Sequence, residues 1–142
     1  MKIQVNDEES PRKTAAMSRG SETVLLVEDE DGVRALVRLV LQECGYTVLE
    51  APDGVEAVRI AGQHQGRIDL LLTDVGLPRM GGLEVAGHLL ARHPEVKVLY
   101  LSGYTDDAVM RNGILEAKVA FLQKPFSPSF LAAKVREVLD GK

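Results

Sequence analysis

From Thr23 onward, short apolar runs alternate with stretches whose apolar residues recur every three or four positions. The runs are "TVLLVE" (23–28), "TVLEA" (47–51), "IDLLLT" (68–73), "KVLYLS" (97–102) and "VAFLQ" (119–123). Their length and aliphatic content predict five strands, with the leucines of the third burying a central one. Between the first two, Val33, Leu36, Val37, Val40, Leu41 and Cys44 share one helical face, and Gly45 follows as a C-cap. Further helices are predicted over about 54–65, 82–92, 106–113 and 128–140. Pro94 limits the third helix. Thr105 and Ser127 are placed to cap the last two, and Pro128 falls at a first helical position. Strand and helix in strict alternation predict βα units around a parallel sheet.

Residues 1–22 break this pattern. They mix charges with Ser, Thr, Pro and Gly and hold no sustained period, so they read as a flexible linker or tail before a domain spanning 23–142. On that reading their deletion changes stability by less than roughly 1 kcal/mol, the scale of ordinary surface changes.

Composition narrows the setting. With 45% hydrophobic and 27% charged residues, the 142-residue chain suits one globular domain with an ordinary core. A net charge of −4 with scattered Lys and Arg offers no basic stripe, so no direct nucleic-acid binding is expected. The single cysteine, Cys44, excludes an internal disulfide and reads as a small core residue. No apolar run approaches the ~18 residues of a membrane span, and residues 1–22 lack the apolar core of a signal peptide. The expectation is a cytoplasmic domain making no membrane contact through this segment. His64, His88 and His93 lack metal-ligand spacing and are expected at the surface.

In an open parallel sheet, ligands bind outside the carboxyl ends of the strands. Polar residues there are Glu28, Asp29 and Glu30 after the first run, Asp74 after the third, Ser102 ending the fourth and Lys124 after the fifth. Each also has an ordinary reading. An Asp after a strand is commonly a turn or cap; Asp31 fits an N-cap, which leaves Glu30 as a surface residue, and Gly81 and Gly82 fit a turn. Taken together the set is more specific. Carboxylates converging on one rim call for a cation, and hard oxygen ligands favour Mg²⁺. A lysine and a hydroxyl beside them suit an anionic phosphoryl group.

The strings "VLLVEDE", "LLLTDVGLPRMGG", "VLYLSG" and "FLQKPF", in this order and spacing, resemble the receiver domain of bacterial two-component response regulators. The resemblance implies a flavodoxin-like (βα)₅ fold, an α/β three-layer sandwich with parallel strand order 2-1-3-4-5. It implies that Asp74 accepts a phosphoryl group from a phosphohistidine, with Mg²⁺ held by Asp29, Asp74, the Gly76 backbone carbonyl and, through water, Glu28. It further implies that Lys124 pairs with the phosphoryl group, that Ser102 and Phe121 are the switch residues, and that the Lys124–Pro125 peptide is cis. The implied partner is a histidine kinase or histidine phosphotransfer domain, with a weak homodimer through the fourth helix, fifth strand and fifth helix as a further contact. The phrases "SGYTDDAVMRNG" (102–113) and "FLQKPFSPSFLAAKVREVLD" (121–140), together with the upstream linker, resemble the C-terminal receiver of a hybrid sensor histidine kinase. On this reading the isolated domain is mainly a phosphoacceptor with self-catalysed phosphotransfer and dephosphorylation. Two alternatives stand beside it. One is a Mg²⁺-dependent phosphatase of the haloacid dehalogenase type, although glycine at position 76 lacks the second acid such an enzyme needs. The other is a receiver-like interaction module that is not phosphorylated.

Overall fold

The computed structural model describes residues 19–77, 79–103 and 120–141. Five strands, β1 (Thr23–Val27), β2 (Thr47–Ala51), β3 (Leu70–Asp74), β4 (Lys97–Ser102) and β5 (Ala120–Gln123), form one sheet. All pairings are parallel, in the order β2-β1-β3-β4-β5. Four helices are described: α1 (Asp31–Glu43), α2 (Gly54–Gln63), α3 (Gly82–Arg92) and α4 (Pro128–Leu139). The helix expected over 106–113, and Thr105 as its cap, lie outside the described residues.

The apolar centres of β1, β3 and β4 follow from having helices on both faces. Val24, Leu26, Leu70, Leu72, Leu99 and Leu101 pack with Val37, Leu41 and Leu131 of α1 and α4. The alternate positions, Leu25, Val27, Leu71 and Tyr100, pack with Ala57, Val85 and Leu89 of α2 and α3. This is the period-2 division of a strand buried on both sides. Leu70, Leu71 and Leu72 are completely buried, and each such side chain stabilises the fold by roughly 1.5–3 kcal/mol. Cys44 is buried in the α1 layer, and burial pushes its thiol pKa up. His88 is exposed, whereas His64 and His93 are half-buried.

Helix ends follow their local chemistry. Ser127 Oγ accepts the Phe130 amide at 3.1 Å, with Pro128 opening α4, and Asp53 caps α2 by accepting the Glu56 amide. Gly45 follows α1 with φ of 103°, and the Lys124–Pro125 peptide is cis. Three expectations need correction. The N-cap of α1 is Glu30 rather than Asp31, because the Glu30 amide is held on Glu28 Oε2 at 3.0 Å and the chain stays extended through that residue. Asp31 lies in the first helical turn, paired with Arg34 at 2.8 Å. Leu36, assigned to the buried stripe of α1, is 49% exposed. Finally, β3 extends through Asp74, whose backbone pairs in register with Leu101 of β4, so this carboxylate ends the strand instead of following it.

Candidate functional site

Parallel strands deliver all their carboxyl ends to one rim. Strand order then sets the neighbours: β1 lies beside β3, and β4 lies between β3 and β5. Glu28 therefore emerges next to Asp74. Lys124 reaches across β4 to both, its backbone amide anchored on the Ser102 carbonyl at 2.8 Å.

The centre of the site is the Lys124 ammonium. Its Nζ donates a 2.8 Å hydrogen bond to Asp74 Oδ2 and lies 2.9 Å from Glu28 Oε1 and 3.7 Å from Glu30 Oε1. The Glu28 contact is an ion pair whose angles fall short of a hydrogen bond, so that buried oxygen has no hydrogen-bond donor. Asp74 is nearly buried, and its other oxygen, Oδ1, accepts the Gly76 amide at 2.9 Å. Asp29 is exposed beside them. One carboxylate oxygen from each of Glu28, Asp29 and Asp74 falls within 4.8 Å of the others.

Electrostatics follow from this crowding. Glu28 is fully buried, and burial, with a smaller contribution from the nearby Asp74 charge, raises its pKa against the opposing pull of Lys124. Burial alone would lower the Lys124 pKa, but its hydrogen bond to Asp74 and its ion pair with Glu28 outweigh that and raise it. One ammonium thus faces Asp74 and Glu28, with Glu30 further off, and Asp29 adds a third carboxylate to the cluster. Such a donor set fits a hard divalent cation: the oxygens are already gathered, the charge is under-compensated, and a buried Glu28 oxygen lacks a donor.

Other residues named from the sequence fall around this centre. Ser102 is buried, and its hydroxyl donates to the Gly103 carbonyl at 3.2 Å rather than to Asp74. Phe121 is half-buried against the α2/α3-side core and pairs in register with Tyr100. Gly76 follows Asp74 in an exposed bend.

Two features escaped the sequence reading. Glu30 is exposed, as expected of a surface residue, but its carboxylate also lies 3.7 Å from Lys124 Nζ. Gly82, taken as a turn former, opens α3 directly against the site: a Cβ there would stand 2.4 Å from the Asp74 carbonyl oxygen, so only glycine lets the helix seat this close. Beside Lys124, an apolar groove is lined by Glu30, Val33, Leu36, Pro125 and Phe126. Leu36 owes its exposure to that groove. A helical-wheel argument cannot detect it.

Comparison with known proteins agrees with this geometry. A family model described as the response regulator receiver domain matches residues 24–136. The chain is 47% identical over 121 residues to the sensor kinase CckA of Brucella abortus, covering 85% of this chain and 13% of that protein. It is 35% identical over 118 residues to the transcriptional regulatory protein CreB of Escherichia coli, covering 83% of this chain and 51% of CreB. It therefore spans about half or less of these relatives' length. Among solved structures, the receiver domain of the hybrid histidine kinase CckA aligns with a TM-score of 0.68 at 35% identity, covering 82% of this chain and 98% of that one. A receiver domain from Clostridium thermocellum aligns at 0.73 and 25% identity, covering 84% and 94%. Receiver domains generally bind Mg²⁺ and interact with histidine kinases or phosphotransfer proteins. No described helix is long and apolar enough to cross a membrane. With the acidic rim, the strand order and the family match all covering the same stretch of sequence, the chain belongs to the response regulator receiver family and is a receiver domain of two-component signalling.

Proposed function

We propose that this domain accepts a phosphoryl group on Asp74 from the phosphohistidine of a histidine kinase or histidine phosphotransfer domain, and that the resulting acyl phosphate shifts its conformation. The observation that supports this best is the Lys124 ammonium 2.8 Å from Asp74 Oδ2, which puts a cation beside the carboxylate where an incoming anion would arrive. In the transfer, a carboxylate oxygen of Asp74 forms a bond to phosphorus while the phosphorus–nitrogen bond breaks and its electron pair returns to the imidazole. The strand end holds the nucleophile rigidly, and Gly76 N–H orients one of its oxygens. Lys124 then pairs with the phosphoryl oxygens. Asp29, Asp74 and the Gly76 carbonyl, with Glu28 through water, would hold Mg²⁺, which when bound neutralises phosphoryl charge. The groove beside Lys124 offers the phosphodonor an apolar seat next to the acceptor. We read the parent protein as a hybrid sensor histidine kinase, on the identity to CckA. The direct test is intact-mass spectrometry after incubation with acetyl phosphate and Mg²⁺, with one phosphoryl adduct per chain expected.

Metal binding has its own test. Mg²⁺ that binds only the folded state stabilises it by about 2.7 kcal/mol at a hundredfold excess over Kd. Asp29 is exposed, so Asp29→Asn is expected to leave the metal-free fold intact and to lose most of the Mg²⁺-dependent rise in melting temperature. An undiminished rise would remove Asp29 from the ligand set.

The switch is assigned to Ser102 and Phe121. A phosphoryl group on Asp74 provides acceptor oxygens that the free carboxylate does not place near Ser102, favouring the conformer with that hydroxyl turned inward. Turning it gives up a single hydrogen bond of 3.2 Å to Gly103. Space vacated by Ser102 lets Phe121, one strand away, rotate inward. Amide NMR shifts on adding beryllofluoride, an acyl-phosphate mimic, are expected to extend to β5 in wild type and to stay near Asp74 in Ser102→Ala. The same spread in both would rule this mechanism out.

A further inference from the structure

We propose that residues 19–22 are not free linker but a strap built into the domain, clamped by Arg136 of the last helix at the pole opposite Asp74. The guanidinium is satisfied on every side. It donates to the Arg19 carbonyl at 3.0 Å, to Glu22 Oε1 at 3.2 Å and Oε2 at 2.7 Å, and to the Tyr46 hydroxyl at 3.3 Å. It also bonds Asp140 at 2.9 and 3.1 Å. One side chain thus ties the lead-in to the turn before β2 and to the end of α4.

The backbone makes a second, independent set of contacts. Gly20 N–H donates to the Cys44 carbonyl at 3.0 Å, and the Glu22 carbonyl accepts the Thr47 amide at 3.0 Å, continuing the β1–β2 ladder one residue earlier. The seat demands glycine at position 45 and leaves no room for a side chain at position 20 without displacing the clamp. A Cβ on Gly20 would stand 2.3 Å from Glu22 Oε1, 2.4 Å from an Arg136 nitrogen and 2.5 Å from the Tyr46 ring. A Cβ on Gly45 would stand 2.3 Å from the Gly20 carbonyl oxygen, and Gly45 holds φ of 103°, which side chains disfavour. Two backbones meeting this closely, with a buried-side arginine fork over them, are the marks of a designed seat rather than a passing contact.

The strap has a mechanical consequence. Five-residue strands separate the two poles of the sheet by about 17 Å. Residues 19–22 are therefore anchored at the pole away from the acceptor, tied to α4 instead of hanging freely from β1. This inference does not rest on the phosphoacceptor assignment.

Hydrogen exchange on the full chain tests it. In wild type the Gly20 and Thr47 amides are expected to be protected. Arg136→Ala should speed Gly20 exchange by about tenfold or more, the scale of losing charge-assisted hydrogen bonds. Interior amides such as Leu25 and Leu72, and labelling by acetyl phosphate, should be unchanged. If Arg136→Ala unfolds the sheet as well, Glu22→Gln decides: faster exchange confined to Gly20 supports the strap, and unchanged exchange overturns it. Gly20 exchanging at the unprotected rate in wild type also overturns it.

Discussion

Asp74→Asn is expected to abolish labelling by acetyl phosphate and Mg²⁺, with no adduct above background under conditions that label wild type fully. The loss should be chemical and not a failure to fold. An asparagine oxygen can still accept the Gly76 amide that Asp74 Oδ1 accepts at 2.9 Å. Lys124 keeps Glu28 at 2.9 Å as its counter-ion. Removing one charge from a group of three carboxylates relieves repulsion, so the variant should melt at or above the wild-type temperature without Mg²⁺. What disappears is the anionic nucleophile, for which a neutral amide is no substitute. Intact mass and a thermal melt on the same sample check both halves. Equal labelling of variant and wild type would move the acceptor elsewhere, and a collapsed melt would make the labelling result uninformative about chemistry, in which case Asp74→Glu, which keeps the charge but displaces it, supplies the comparison.

The second large effect is expected from Lys124→Met. Methionine keeps the length of the stem but leaves Glu28, which is completely buried, and Asp74, which is nearly so, facing each other without a counter-charge. Removing one partner of a buried pair costs about 3–5 kcal/mol; because the lysine is partly open to solvent, about 2–4 kcal/mol is the better expectation. The loss should depend on pH. Burial already raises the Glu28 pKa above its ordinary 4.5, with Lys124 pulling the other way, so removing Lys124 raises it further. A carboxyl with a raised folded-state pKa contributes stability that is fully present below its unfolded pKa and is lost as pH rises through the folded one. The deficit of the variant should therefore be largest near neutral pH and shrink toward about pH 5. Mg²⁺ should recover part of it by supplying the missing positive charge. Urea melts at both pH values, with and without Mg²⁺, make the check. A variant as stable as wild type at neutral pH would show that the ammonium does not hold the rim together.

The fold was legible because its signals are local. Runs such as "IDLLLT" and the three-to-four spacing of Val37, Val40, Leu41 and Cys44 can be read within a dozen residues, since a buried parallel strand and a helix face each impose a short period. Once the alternation implied a parallel sheet, every strand had to end at one rim, and that alone gathered Glu28, Asp29, Glu30, Asp74, Ser102 and Lys124 as candidates. Local caps behaved likewise: Ser127 and Pro128 needed only their own helix.

What the chain could not disclose by itself was how far-separated groups meet. Lys124 lies 50 positions from Asp74, and whether its ammonium rests on Asp74, Glu28 or solvent depends on strand order and on its stem crossing β4. That contact, in turn, ties up Glu28, whose second oxygen holds the Glu30 amide and moves the α1 cap off Asp31. Leu36 obeys the helical period yet faces a groove, because nothing among the described residues packs over it there. The sharpest case is the lead-in. Residues 19–22 carry no period and no apolar face, the two signals that sequence reading relies on. They are held by an arginine 114 positions from Glu22 and by two glycines whose lack of a side chain matters only when their backbones touch. Periodicity determines which segments must be buried; the pairing of charges and the close approach of backbones are decided only when the tertiary structure brings distant segments together, because both act through space over a few ångströms and leave no repeat in the sequence.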